Sequence, residues 1–427
     1  MKQRAHQFIK YVNKVYGLAQ QLSRFNDGRV NPQVALKNIL LIIIFSIVVN
    51  VHSFNMMESL LKRGYFNKAL KKRKVKGSAD TFGYGLAKSF IKQFEQLNCR
   101  IIKTSRYNKV FQHGTIDGFT VVALDGTEAF RTQSERWSCE KCRTTIRTNT
   151  DGSEEVDYHE NLVGAAYVGR PPNLILGIER VAPGEGELTA ALRLLKKLYQ
   201  DHCRYADIIT LDSLYAKAPV INEIVDQNKI AVIRVKQENY NIIKDAAGLF
   251  AGRKPDLEKE LSLKSSWYAD DQAGKKYTYR VKVWDAEGFE SWPGVKVPLR
   301  VLKIKETRID RNKIELGEPV VTYLVTTADK VTLPTESAWR ILHRRWDIEN
   351  KVFHDLKVYW GFGHNYHHDE EAFMAMRWLT VIARNLFYLF YYRRLHCYYT
   401  KGISKKVLKF ELAHSFILLE QPVWGPG

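Results

Sequence analysis

Three acidic residues that are far apart in the chain have the types and settings that metal-dependent phosphoryl transfer requires. Asp125 follows the β-branched apolar run 120–124, and Asp212 follows a similar run, 207–211. Both runs predict buried strands that carry an aspartate at the carboxyl end. Glu349 lies in a later segment with helical periodicity. Hard divalent cations prefer carboxylate oxygen, and a pair of such ions can activate an attacking oxygen while stabilising a leaving one.

The segment 344–357 predicts a helix that places cations beside its acid. Arg345 and Glu349 are four residues apart, and Lys357 follows Glu349 by eight, so all three fall on one broad face. Arg344 adds a further cation. We therefore expect Glu349 to bind metal, and Arg345, Lys357 and Arg344 to contact DNA phosphates. The alternative is an ordinary amphipathic helix whose Arg–Glu pair has little energetic value.

This helix resembles the signature helix of DDE-class insertion-sequence transposases that have a β-rich insertion between the second aspartate and the glutamate. The matching residues are Arg345, Trp346, Asp347, Ile348 and Glu349, followed by Phe353, Leu356 and Lys357. The segments 124–127 and 211–215 resemble the family's two aspartate motifs. The family's helix reads Tyr, two residues, Arg, three residues, Glu, six residues and Lys. Leu342 stands at the tyrosine position, and Lys357 lies one residue beyond the lysine position.

The resemblance implies an α/β fold with a ribonuclease H-like catalytic core, a β-rich insertion and a helical N-terminal domain. It implies that Asp125, Asp212 and Glu349 hold two Mg²⁺ ions, for which Mn²⁺ can substitute. The implied reaction hydrolyses a phosphodiester at each end of a DNA element, after which the freed 3′-hydroxyl attacks another phosphodiester. Because two ends are joined, a homodimer on double-stranded DNA is implied as well. Whether a DNA hairpin intermediate forms stays open.

The elements that must position these residues divide the sequence into four parts. Residues 1–110 predict a helical N-terminal DNA-binding domain. Residues 111–229 predict strand, helix and strand in that order, which is typical of a mixed or parallel sheet and forms the first part of the catalytic core. Residues 230–333 predict the β-rich insertion. Residues 334–427 predict the second part of the core and its closing helices.

A formal net charge of +20 predicts a polyanionic partner, with nucleic acid first and an anionic membrane surface second. The apolar runs 39–49 and 372–392 predict core helices, because the first is too short to span a membrane and the second contains two arginines. We therefore expect no membrane partner. One basic stretch is a predicted DNA contact and consists of Lys71, Lys72, Arg73 and Lys74.

The five cysteines do not form a disulfide framework in a chain of this length, which favours a reducing cytoplasm. The prediction is a cytoplasmic, nucleoid-associated prokaryotic protein. Cys139 and Cys142 form a C-x-x-C pair, and His159 follows nearby. A structural zinc site needs four ligands and only three are identified here, so two reduced cysteines in a hairpin are the favoured interpretation and zinc is the alternative.

Two other functions stay open for this sequence. The first is a DNA-binding protein that descends from a transposase and no longer cuts DNA. The second is a metal-dependent nuclease that cleaves DNA without joining it. The presence of all three acids argues against the first, and a strand-transfer assay separates the second.

Overall fold

The computed structural model describes residues 4–67, 70, 76–135, 142–202, 204–235, 240–265 and 275–417. The N-terminal part is helical, as predicted. Its helices are α1 (Arg4–Tyr16), α2 (Leu18–Leu22), α3 (Leu36–Val48), α4 (Phe54–Lys62), α5 (Ala79–Ala87) and α6 (Ile91–Tyr107). Helix α3 is buried on almost every side, which explains why its sequence is apolar all round. Among the described residues, none of the helices combines the length and the apolar character that crossing a bilayer requires.

The described strands form one ten-stranded mixed sheet. They are β1 (Val121–Thr132), β2 (Arg143–Thr148), β3 (Glu154–Tyr167), β4 (Ile175–Arg180), β5 (Ile208–Leu211), β6 (Ile230–Val235), β7 (Leu257–Ser265), β8 (Lys275–Phe289), β9 (Leu299–Ile309) and β10 (Glu315–Thr326). Their order is β2-β3-β1-β5-β6-β10-β9-β8-β7, and β4 also pairs with β3. Strands β1, β5 and β6 run parallel to one another, and the other pairs are antiparallel.

Eight further helices follow β4 along the chain or close the fold at its end. They are α7 (Glu187–His202), α8 (Ala218–Asp226), α9 (Asn241–Phe250), α10 (Thr335–Arg344), α11 (His354–Tyr359), α12 (Glu370–Leu389), α13 (His396–Thr400) and α14 (Lys405–Ile417). Helix α7 connects β4 to β5, and α8 connects β5 to the parallel strand β6. Helix connections of this kind are what parallel strands require.

The sequence places the end of the first strand too early. The prediction ended it at Asp125, whereas β1 continues to Thr132. Strand β1 continues because β3 pairs with it as far as Thr132, with Asp125 opposite Gly164. Asp125 therefore lies within a strand and not at its end. The second strand does end where predicted, since β5 ends at Leu211.

The predicted β-rich segment extends the central sheet. Strand β10 pairs with β6 from Tyr323 to Thr326, so the hairpins formed by β7 to β10 continue the same hydrogen-bonded array. Backbone hydrogen bonds thereby join the central strands β1, β5 and β6 to the β7–β10 region.

The predicted helix 344–357 is not a regular α-helix. Helix α10 ends at Arg344, and a π-helical segment, Ile348–Phe353, follows before α11. A tertiary contact accompanies this irregularity, since the buried guanidinium of Arg384 donates to the carbonyl of Lys351 at 2.9 Å and to Asp355 Oδ2 at 2.7 Å. Carbonyl groups of a π segment lose their regular helical partners, and Arg384 supplies one.

Helix α12 is buried along almost its whole length and packs against α3, α5 and α6. Its polar residues have partners in the core: Asn385 bonds the carbonyl of Ile175 and the side chain of Asn98. The prediction of a core helix in place of a membrane span is confirmed for this run.

Candidate active site

Asp125 faces the helical segment that contains Glu349. In an antiparallel pair, directly opposed residues point to the same side of the sheet, and Asp125 opposes Gly164. A Cβ on Gly164 would lie 2.8 Å from the ring of Phe353, so this side of the sheet is covered by the π segment. Asp125 Oδ1 accepts a hydrogen bond from the backbone N–H of Gly126 at 2.9 Å.

Asp212 lies at the same level of the sheet on the neighbouring strand. Strands β1 and β5 are parallel, with Ala123 opposite Thr210, so two further residues along each chain lead to Asp125 and Asp212. Neighbouring strands are about 4.8 Å apart. Asp212 then precedes the single 3₁₀ turn Ser213–Tyr215. The parallel register therefore brings two aspartates separated by 87 residues (212 − 125) next to each other.

Arg345 joins Asp125 to Glu349. Its guanidinium is only 1% exposed, and it places Nη2 2.8 Å from Glu349 Oε1 and Nη1 3.4 Å from Asp125 Oδ2. The Nε of Arg345 is buried and has no hydrogen-bond partner among the described residues. Glu349 itself remains 46% exposed. Two of the three predicted acids thus converge on one cationic group at the surface of the sheet.

The electrostatics of Asp125 reflect this crowding. Burial raises its pKa to about 7, an effect that Arg345 opposes and the neighbouring carboxylate of Glu349 reinforces. The carboxylate of Glu349 is thus close enough to Asp125 to disfavour the charged form of Asp125. A charge-dense pair of this kind favours the binding of a cation or the retention of a proton.

Arg234 on β6 is a cation that the sequence analysis missed. Its guanidinium lies 4.8 Å from the centre of the Trp346 ring, and the charges of Asp212 and Glu349 both act on it. Burial lowers its pKa, and these acids partly restore it. The sequence feature that could have revealed it is an arginine inside the otherwise apolar strand sequence IAVIRV. Arg234 is thus within electrostatic range of both Asp212 and Glu349.

Glu187 and Tyr215 form a second pair that the sequence analysis missed. The hydroxyl of Tyr215 donates to Glu187 Oε2 at 3.1 Å. Burial raises the pKa of Tyr215 beyond its usual range, and the charges of Glu187, Asp125 and Asp212 add to this rise. A fourth carboxylate therefore contacts Gly126, the residue after Asp125, and Tyr215, three residues after Asp212.

The π segment decides where Lys357 lies relative to Glu349. In an α-helix each residue turns the chain by about 100°, so eight residues would leave Lys357 about 80° away from Glu349. A π-helix turns by roughly 80° per residue, so four such steps from Glu349 to Phe353 and four α-helical steps to Lys357 end at about two full turns. The additional residue thus moves Lys357 back towards the face of Glu349. The charge of Glu128, three residues after Asp125 on β1, acts on Lys357.

The donor groups at this place suit a hard cation, although no closed metal site exists. Among the residues that the structure describes, no group of three or more His, Cys, Asp or Glu side chains is close enough to hold an ion. Carboxylate oxygens are nevertheless the donors that Mg²⁺ and Mn²⁺ prefer. The guanidinium of Arg345 acts as a stand-in cation, since Asp125 and Glu349 already turn towards it. The donor set therefore fits Mg²⁺, provided that Arg345 gives way.

The comparison with protein families decides the family. The profile described as "Transposase DDE domain" matches residues 172–386, just over half of the 427 residues. The chain belongs to the transposase DDE domain family. The resemblance seen in the sequence is thereby confirmed. The matched residues include Asp212 and Glu349, whereas Asp125 precedes them. No curated protein matches the chain.

In this transposase family member, Arg344 contacts an acid of its own helical segment and Leu342 is buried. Arg344 is 3.7 Å from Asp347 Oδ1, and Asp347 also accepts from Lys351 Nζ and from the backbone of Gly169. Leu342, at the family's tyrosine position, is buried and only 7% exposed. The contact with Asp347 links Arg344 to the helical segment, and its role as a DNA contact stays a prediction.

The remaining predicted sites of this transposase are only partly described. Lys71, Lys72, Arg73 and Lys74 lie outside the described residues, and so does Cys139. Cys142 directly precedes β2, whose first residue, Arg143, pairs with His159. The Nδ1 of His159 is buried, and no residue in the described part of the chain forms a hydrogen bond with it. A zinc site at Cys139, Cys142 and His159 stays a prediction.

Proposed function

We propose that the chain is an active DNA transposase that uses Asp125, Asp212 and Glu349 to hold two Mg²⁺ ions. It hydrolyses a phosphodiester at each end of a DNA element and joins the freed 3′-hydroxyl to target DNA. One observation carries the proposal: the register of β1 and β5 sets the two aspartates side by side, and the buried Arg345 joins Asp125 to Glu349.

The strand order supports a ribonuclease H-like catalytic core. Strands β4, β3 and β1 are antiparallel neighbours, and β5 and β6 continue from β1 in parallel. Helix α7 stands between β4 and β5 along the chain. Strands β7 to β10 lie between this part and the helix of Glu349, which is the position of the proposed β-rich insertion.

Each group of the site has a chemical task in this proposal. When bound, Mg²⁺ polarises the phosphodiester and lowers the pKa of a water molecule. Asp125, Asp212 and Glu349 would hold the ions. Arg234 lies within electrostatic range of Asp212 and Glu349, with its guanidinium over Trp346, where it can neutralise a DNA phosphate. Little more is required of the protein, because phosphoryl transfer depends mainly on positioning and charge stabilisation.

The partner of the site is double-stranded DNA, which proteins of this family bind. The net charge of +20 supports strong, salt-dependent attraction to the phosphate backbone. Joining two ends requires two active sites near each other, so we propose that the protein works as a homodimer on DNA.

The test is a cleavage assay on DNA duplexes taken from the ends of the encoding element. Purified protein with Mg²⁺ should nick the end and then join it to a second duplex. Asp212→Ala should reduce cleavage by a factor of about 10³ or more, because a metal ligand is lost. Asp226→Ala is the matched control, since Asp226 is an exposed aspartate on α8 that pairs with Lys296, and it should leave the rate unchanged.

The products separate the proposed function from its alternatives. Cleavage without joined product would identify a nuclease and contradict strand transfer. DNA binding without cleavage in Mg²⁺ and in Mn²⁺ would identify a protein that only binds DNA. Equal cleavage by the parent and Asp212→Ala would show that Asp212 is not a metal ligand of the active site.

A further inference from the structure

Glu187 lies in the first turn of α7, where a carboxylate needs no functional explanation. Acidic residues are favoured at helix N-termini because they interact with the helix dipole. Glu187 makes two contacts that go beyond that role, one with β1 and one with the turn that follows β5. Both connect Glu187 to the loops and strands that carry the catalytic aspartates.

The first contact is with Gly126, the residue after Asp125. A Cβ at position 126 would lie 2.2 Å from Glu187 Oε2, which no side chain tolerates without displacement. Gly126 has no positive φ, so its backbone does not require glycine. The missing side chain instead makes room for the carboxylate of Glu187 against β1, on the face opposite to the Asp125 side chain, because consecutive residues of a strand point to opposite faces.

The second contact is with Tyr215, which ends the turn that begins after Asp212. Tyr215 is fully buried, and its hydroxyl donates to Glu187 at 3.1 Å. Asp125 and Asp212 are close enough to act electrostatically on the same hydroxyl. The phenol stays neutral in these surroundings, so its single proton is available for Glu187. Glu187 is therefore bonded to the Asp212 turn and packed against the Asp125 strand.

We propose that Glu187 is a positioning residue of the active site, whose bond with Tyr215 and whose charge strengthen the binding of divalent cations by Asp125 and Asp212. It acts through Tyr215 on the Asp212 turn and through its negative field on the bound cation. The inference rests on the proposed function, because it assumes that the aspartates bind metal. Partners that hold and polarise metal ligands typically change metal affinity by about 10–100-fold.

The test measures Mn²⁺ binding by titration calorimetry on the full-length protein without DNA, and thermal unfolding of each variant. In Glu187→Gln the amide oxygen can still accept from Tyr215, but the charge is removed. We expect it to weaken Mn²⁺ binding about 10-fold. Asp80→Asn is the matched control, because Asp80 is an exposed acid in the first turn of α5, and it should leave the affinity unchanged.

Tyr215→Phe keeps the charge and removes the hydroxyl that bonds it, so it tests the connection to the Asp212 turn if Glu187→Gln fails to fold. We expect weaker Mn²⁺ binding here too. Parental affinity in a folded Glu187→Gln protein overturns the inference, as does equal weakening by Asp80→Asn.

Asp125→Asn distinguishes this failure from failure of the proposed function. If Asp125→Asn loses Mn²⁺ binding and Glu187→Gln does not, only the role of Glu187 is wrong. If Asp125→Asn binds Mn²⁺ like the parent, the metal site itself is misplaced and both proposals fall.

Discussion

Gly126 connects two acids of the site at the scale of single residues. It follows Asp125 on β1, donates its backbone N–H to that aspartate, and leaves space for Glu187. A side chain here would meet only the end of a flexible carboxylate. The fold would therefore tolerate it, but the position of Glu187 would change.

We predict that Gly126→Ala weakens Mn²⁺ binding and DNA cleavage while the protein still folds. The added methyl group should displace the Glu187 carboxylate and break its bond with Tyr215, which costs about 1 kcal/mol of unfolding free energy. Mn²⁺ affinity and the cleavage rate should fall about 10-fold. Gly248→Ala on α9 is the control, since nothing lies within 4 Å of its Cβ. It should leave the Mn²⁺ affinity and the cleavage rate unchanged. Denaturant unfolding, calorimetry and the cleavage assay measure these effects, and parental Mn²⁺ affinity in Gly126→Ala would contradict the account.

The sequence identifies the three predicted acids because each sits in a recognisable local pattern. Asp125 and Asp212 follow apolar runs, and Glu349 follows an arginine by four residues. Glu187 has no such pattern. Its relation to the site depends on Gly126 and Tyr215, which approach it only in the folded chain.

At the scale of elements, the helix that carries Glu349 is the least regular part of the site. Sequence periodicity predicts a continuous helix, and the structure has a π segment in its middle. This could not be predicted locally, because the carbonyl of Lys351 is bonded by Arg384, which is 33 residues away. The same irregularity compensates for the shifted position of Lys357.

We predict that Arg384→Met destabilises this helix and the protein with it. Arg384 and Asp355 form a buried ion pair at 2.7 Å, and removal of the cation would leave Asp355 buried with an uncompensated charge. Breaking such a pair costs about 3–5 kcal/mol. Arg253→Met, which removes the more exposed pair with Asp256, should cost less than about 1 kcal/mol. Equal losses in urea unfolding would show that the buried pair does not support the helix.

At the scale of the whole molecule, the described parts share one hydrophobic core. Buried apolar residues from Ala5 to Phe416 form a contiguous cluster that includes the N-terminal helices, the sheet and α12. The helical character of the N-terminal part was predictable from its periodicity. Its packing against α12 was not, because contacts between segments nearly 300 residues apart leave no local pattern.

We predict that stability decreases in mild acid because the core holds neutral histidines. Burial lowers the pKa of His202 to about 4, with Lys103 and Arg106 contributing, and burial lowers that of His52 to about 4. The unfolded chain takes up protons near pH 6.5, so this stability is present above pH 6.5 and is lost as the pH falls towards 4. His202→Gln should flatten the decrease in unfolding free energy, whereas the exposed His113→Gln should not. A decrease of the same steepness in His202→Gln would contradict this assignment.

The central claim is that Asp125, Asp212 and Glu349 share divalent cations in place of the Arg345 guanidinium. Anomalous diffraction from crystals grown with Mn²⁺ tests it most directly, because it locates the ion independently of activity. The account predicts Mn²⁺ bound to oxygens of these three side chains, with Arg345 moved away from Asp125. Crystals saturated with Mn²⁺ would contradict it if no ion lay at the three carboxylates and Arg345 still bonded Asp125 and Glu349.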